Sequence, residues 1–187
     1  MINFSLVKRL KATEDLKLMM KEELRVVVHI ILEGLVMCFI LLLTCVIAIA
    51  NGAVGGVALY EDDVQKRVVE LGYTTKKRIR RNLILLSIAM FVPIFTIVPF
   101  MVYYINGAVG FWDGFWQMTV ILWIMGVFDR IFIDWYWVGK TEAWNIAGTE
   151  DLKPYIPMKV LVRKWCFTVI GFPLITALIA GIVTLIM

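Results

Sequence analysis

Asp129, Arg130 and Asp134 stand inside an apolar stretch, residues 115–140, that reads FWQMTVILWIMGVFDRIFIDWYWVGK. A charge at the centre of a bilayer costs roughly 2.5–3.5 kcal/mol on insertion scales, so such residues have partners and often mark a site. Arg130 and Asp134 are spaced i, i+4 and share one face of an α-helix, where an ion pair can form. Asp129 points about 100° away from Arg130 and must find its neighbour on another helix or in water. Two readings compete. In the first, Asp129 and its neighbours bind a cation, a proton or a lipid headgroup. In the second, which is slightly favoured, the three residues are a self-neutralising anchor, with Arg130 snorkelling toward the interface near Lys140. A Mg²⁺ site between Asp129 and Asp134 is only weakly signalled, because residues five apart do not share an α-helical face.

His29 and Glu33 form a second polar pair, one helical turn apart on one face, at the entrance of the first apolar run. They mark the end opposite Asp129, so the two sets bracket a polar path rather than form one compact site. His29 is the only histidine, which excludes haem or zinc sites built from several histidines of one chain. Cys38, Cys45 and Cys166 lie in apolar runs without CxxC spacing and read as small buried hydrophobes. The sequence has no P-loop, no G-x-S-x-G elbow and no HExxH. No catalytic residue, metal or cofactor is therefore assigned, and an enzyme is disfavoured.

These groups need elements to hold them. Of 187 residues 61% are hydrophobic, with mean hydropathy +0.84, against about 45–50% apolar usage in soluble domains. The apolar residues gather in long runs separated by charged segments, which is the membrane pattern. The expected fold is an all-α integral membrane domain over residues 1–187, with four transmembrane helices at about 35–59, 83–105, 115–138 and 165–187. In residues 1–25, Ile2, Leu6, Leu10, Thr13, Leu16, Met20 and Leu24 recur at three- or four-residue steps. That predicts an N-terminal amphipathic helix, lying in the membrane interface or, with equal weight, packed on the protein's own loops. Ala48, Gly52 and Gly56 recur every fourth residue and predict a small-residue face for helix packing. Pro93 and Pro99 predict a bend in the second span. The pentapeptide NGAVG occurs at 51–55 and 106–110, and without flanking similarity it reads as coincidence rather than an inverted repeat.

The formal charge of +4 is carried by residues flanking the apolar runs, Lys76, Lys77, Arg78, Arg80 and Arg81 above all. Segments 61–82 and 139–164 hold seven and five Lys/Arg, and the turn between spans two and three holds none. The positive-inside rule places both basic loops in the cytoplasm, at a plasma (inner) membrane whose anionic lipids they face. No aromatic pattern or fold motif supports nucleic acid as a partner. Both termini then fall outside, although residues 1–25 carry six Lys/Arg. Were that segment cytoplasmic, the first apolar run would enter and return as a re-entrant hairpin, and four full spans are preferred. The expected role is a non-enzymatic subunit or accessory component of a membrane assembly, as a homo-oligomer or in a larger complex. The alternatives are a small oligomeric transporter or channel with Asp129 in its pathway, and a membrane-embedded lipid-modifying enzyme.

Overall fold

The first helix, α1 (Phe4–Ile49), contains no proline and one glycine, Gly34, so nothing interrupts its hydrogen-bond ladder. The structure, a computed structural model, describes the backbone of residues 4–186 and the side chains of residue 14 and residues 17–186. The helix stops at Ile49 rather than near residue 59. Gly52 takes φ 99° and ψ 160°, a conformation essentially confined to glycine, and the chain folds back as a 3-10 helix over Ala53–Leu59. The small-residue face expected at Ala48, Gly52 and Gly56 is therefore not formed, because the three lie on a helix, a turn and a 3-10 helix in succession. The glycines that bring helices together are others. A Cβ at Gly34 would lie 2.8 Å from Ile124, and one at Gly126 would lie 2.6 Å from Thr168.

A short helix, α2 (Asp62–Glu70), buries Val64 and Val68. It is followed by α3 (Lys76–Ile105), α4 (Gly110–Val138) and α5 (Met158–Ile186). The start of α3 precedes the expected boundary at 83, because Thr75 caps it by accepting from the Arg78 amide at 3.3 Å. Pro93 and Pro99 lie inside its α-helical part, and a π-helical turn, Met101–Ile105, follows directly. Residues 158–164, read from sequence as loop, form the first turns of α5. Among the described residues there is no strand, and four helices are long and apolar enough to cross a membrane: Lys17–Ile49 within α1, and α3, α4 and α5.

Packing centres on α4, which lies against α1 on one side and the second half of α5 on the other. Half of its most apolar stretch is buried (50%), against 11% for α3, so α4 is the hub and α3 the peripheral helix. Met118, Ile121, Leu122 and Met125 of α4 meet Ile30, Met37 and Leu41 of α1 and Ile179 and Ala180 of α5 in the core. Thr119 and Thr176 join α4 to α5 through their hydroxyls, 2.7 Å apart. His29 of α1 meets the turn between α3 and α4, while Ile47 of α1 lies beside Arg81 at the start of α3. Thus α1 passes along the whole bundle, and the re-entrant alternative does not hold.

Of the N-terminal amphipathic pattern, Ile2, Leu6, Leu10, Thr13 and Leu16 lie outside the residues whose side chains are described. Residues 17–25 are all exposed, with Leu18, Met19, Met20 and Leu24 at 60–64% of their full area. Packing on the protein's own loops, one of the two expectations for this segment, does not occur there.

Candidate functional site

The charged turn of α4 is built on a change of helix type. From Asp129 to Val138 the helix is π-helical, with i→i+5 hydrogen bonds. In an α-helix Asp129 and Asp134 would point about 140° apart. In the wider turn the fifth residue comes round to nearly the same side, and both carboxylates line one cavity of about 220 Å³. The expectation that they occupy different faces fails for this reason.

Arg130 lies between them and is buried, so it does not snorkel to the interface. It contacts the Asp129 carboxylate through Nη2 and lies 2.8 Å from Asp134 Oδ2 through Nη1. Asp129, for which sequence spacing offers no partner, is thus met by its own neighbour. A fourth charge comes from α5, where Lys164 donates from Nζ to Asp134 Oδ1 at 2.8 Å. Two acids and two bases therefore close on each other across α4 and α5. The Arg130–Asp134 approach is within ion-pair distance but off the hydrogen-bond axis. Arg130 Nε, Arg130 Nη1 and Asp134 Oδ2 consequently have no hydrogen-bond partner among the described residues. No cluster of three or more His, Cys, Asp or Glu side chains there has the geometry to hold a metal.

Above the cavity the two basic loops fold together into a cap. Tyr60 donates to the Trp144 carbonyl at 3.0 Å and stacks on Tyr155 with ring centroids 4.7 Å apart. Burial raises the Tyr60 hydroxyl well above its ordinary range, so it remains a donor. The Tyr155 hydroxyl in turn meets Thr149 Oγ1 at 2.8 Å and the Ile146 amide at 3.2 Å. Trp144 is fully buried over Gly56, where a Cβ would come within 2.5 Å of its ring. Arg67 clamps Asp151 with two bonds of 3.2 and 3.1 Å. Asp134 lies in the wall between the inner cavity and a more open one of about 480 Å³, which Lys140, Glu142, Asn145 and Lys153 also line. Trp144 Nε1, on the inner cavity's wall, is another buried donor without a partner among the described residues.

His29 and Glu33 sit at the far end of α4, in a separate network whose hub is Asn106. Its Oδ1 is 3.1 Å from His29 Nδ1, and its Nδ2 donates to Glu33 Oε2 and to Gln117 Oε1, both at 3.0 Å. Gln117 donates onward to Asp113 Oδ1 at 3.0 Å, which Trp116 Nε1 also reaches at 3.1 Å. Between this network and Asp129 lie the fully buried Met118, Ile121 and Leu122. The two polar sets are divided by close-packed apolar side chains.

The remaining singled-out residues divide by place. Arg78 and Arg81 line a groove between α1 and α3, and Lys76 and Arg80 line a different one beside α2. Sequence reasoning missed Lys164, Asn106 and the Tyr60–Trp144–Tyr155 cap. Besides His29 and Glu33, the sequence carries one further mark of the Asn106 network, Gln117, a carboxamide inside an apolar run that is buried in the fold. Compared with known proteins, the chain matches no family model, no curated protein and no solved structure.

Proposed function

We propose that this chain is a non-enzymatic component of a membrane assembly, joined to its partner or to further copies of itself through the N-terminal part of α1. The observation that carries this reading is the length of that helix. Its 46 residues extend about 69 Å at the α-helical rise, whereas the hydrocarbon core is about 30 Å thick. Among the described residues contact with the bundle begins near Val26, and the turns before it carry Leu18, Met19, Met20 and Leu24 exposed. Lying flat in the interface would need a break in the helix, and α1 has none. An apolar stripe of this kind outside the membrane marks a protein contact. In this reading the basic loops 61–82 and 139–164 are cytoplasmic, at a plasma (inner) membrane, and face its anionic lipids. The test is the mass of particles extracted with their lipid by a polymer. The wild-type chain gives a particle heavier than one copy, and Met20→Glu/Leu24→Glu returns it to one. A wild-type particle holding a single copy and no other protein would overturn the proposal.

A second reading is favoured by the inner cavity. Asp134 and Trp144 both line it, and Asp134 Oδ2 and Trp144 Nε1 are buried without a partner among the described residues, whereas buried polar groups normally have partners. A small polar guest or headgroup fragment held there would supply them. Ordered density of a non-water solute against Asp134 Oδ2, in an experimental structure, is the outcome this reading requires; water alone would sink it. A lipid-modifying enzyme is less well supported, because each carboxylate is already neutralised by a cation of the same chain.

A further inference from the structure

We propose that the groove between the end of α1 and the start of α3 is a binding site for one anionic glycerophospholipid, gripped by Arg78 and Arg81. The inference deepens the anionic-lipid part of the reading above and rests on it. The groove has a volume of about 690 Å³. Its polar rim is formed by Arg78, Arg81, Asn51 and Asn82, and Ile47 and Leu85 form its apolar floor. No carboxylate lines it, and among the described residues neither arginine is in an ion pair. Arg78 and Arg81 are i, i+3 neighbours on one helical face, so both guanidiniums can fork onto one phosphate. Asn82 spends its amide on the Gly55 carbonyl at 3.3 Å, which leaves its Oδ1 to accept from a headgroup hydroxyl.

The basic cluster is not a uniform charged surface. Lys76 and Arg80 turn to a separate cavity of about 360 Å³ beside α2, where Asp62 shares the wall. Only two of the five basic residues therefore face the uncompensated groove. The floor decides what kind of phosphate it takes. Leu85 lies one turn below Arg81, and the outward faces of α1 and α3 beneath it, Leu43, Ile47 and Ile88, are exposed and apolar. A phosphate at the arginines thus has its acyl chains descending over surface already suited to hydrocarbon. A free phosphate ion would leave that floor uncovered.

The test pairs two variants of equal charge change. Wild type, Arg78→Gln/Arg81→Gln and Lys76→Gln/Arg80→Gln are purified in mild detergent and titrated with phosphatidylglycerol, and bound lipid is counted by native mass spectrometry. The groove predicts one tightly held lipid in wild type and in the Lys76/Arg80 variant. It predicts an affinity about tenfold or more weaker in the Arg78/Arg81 variant, from the loss of charge-assisted hydrogen bonds. Equal loss in the two double variants, or none in either, would overturn it. Displacement of the lipid by soluble glycerol 3-phosphate at matched concentration would overturn the commitment to a lipid. An alkaline wash separates the two levels of the argument. A chain that stays with the membranes while both variants bind alike loses only the groove, and a chain released by the wash loses the membrane reading as well.

Discussion

Lys164 on α5 donates to Asp134 on α4 at 2.8 Å, and it turns an apparent intrahelical pair into a tie between two helices. The tie changes what removing charge should do. Sequence spacing alone implies that Arg130 and Asp134 cancel, so that replacing both by apolar residues is near neutral. In the folded chain that double replacement strands Asp129, whose partner is Arg130, and Lys164, whose partner is Asp134.

Arg130→Met should therefore cost about 3–5 kcal/mol, since it strands the Asp129 carboxylate and leaves Asp134 with Lys164 alone. Arg130→Met/Asp134→Leu should also be clearly destabilised. Only removal of all four charges, adding Asp129→Asn and Lys164→Met, should return stability close to wild type. Lys164→Met alone should cost less than Arg130→Met, because its side chain is 31% exposed and Asp134 keeps Arg130. Thermal melting in one detergent ranks the variants. A near-neutral Arg130→Met/Asp134→Leu would show that Asp129 is served by something other than Arg130.

Asn106 should behave as a hub. Asn106→Leu removes the donor to both Glu33 and Gln117, which are 7% and 2% exposed. Each buried group left unpaired costs about 1–3 kcal/mol. Glu33→Gln keeps an acceptor for Asn106 and should be much milder. If Asn106→Leu melts no lower than Glu33→Gln, the network does not hold this end of the bundle.

The glycines separate close packing from turning. Gly126→Leu should be severely destabilising, since even a Cβ would lie 2.6 Å from Thr168 and 2.8 Å from Phe172. Gly52→Leu meets open space but a positive φ, so its cost is backbone strain of about 1–3 kcal/mol. It should leave the size of the assembly unchanged. A Gly52→Leu protein that falls to a smaller particle at wild-type stability would restore Gly52 as an interface residue.

How far the fold was legible follows from where the signals are local. Four apolar helices were readable because each is a long hydrophobic run, and the charged turn of α4 because charge in such a run is rare. Boundaries failed where backbone chemistry overrode hydropathy. The run through residue 59 is apolar to its end, yet Gly52 turns it, and residues 158–164, which mix three basic residues with four apolar ones just after Pro157, are helical. The π-helical turn had no sequence mark, and it is what brings Asp129 and Asp134 to one cavity. Long-range partners were illegible in principle. Nothing near Asn106 announces Glu33, and the cap depends on Tyr60 meeting Trp144 and Tyr155 across a large sequence separation. Lone glycines such as Gly34 and Gly126 carry the close approaches between helices, whereas of the periodic triplet only Gly56 is closely approached, and by the Trp144 ring of the cap rather than by a helix.

The claim that α1 reaches beyond the bilayer to another protein is tested most directly by photo-cross-linking along that helix. A photoreactive residue is placed in turn at Leu18, Met20, Leu24, Leu35 and Phe39, all exposed on this chain, and membranes are irradiated before any detergent is added. The first three should give a discrete protein adduct, either a second copy or one partner of fixed mass. Leu35 and Phe39, within the bilayer's thickness, should give lipid adducts. Lipid adducts at Leu18, Met20 and Leu24 as well, with no protein band, would contradict the assembly reading and lay that part of α1 on the membrane.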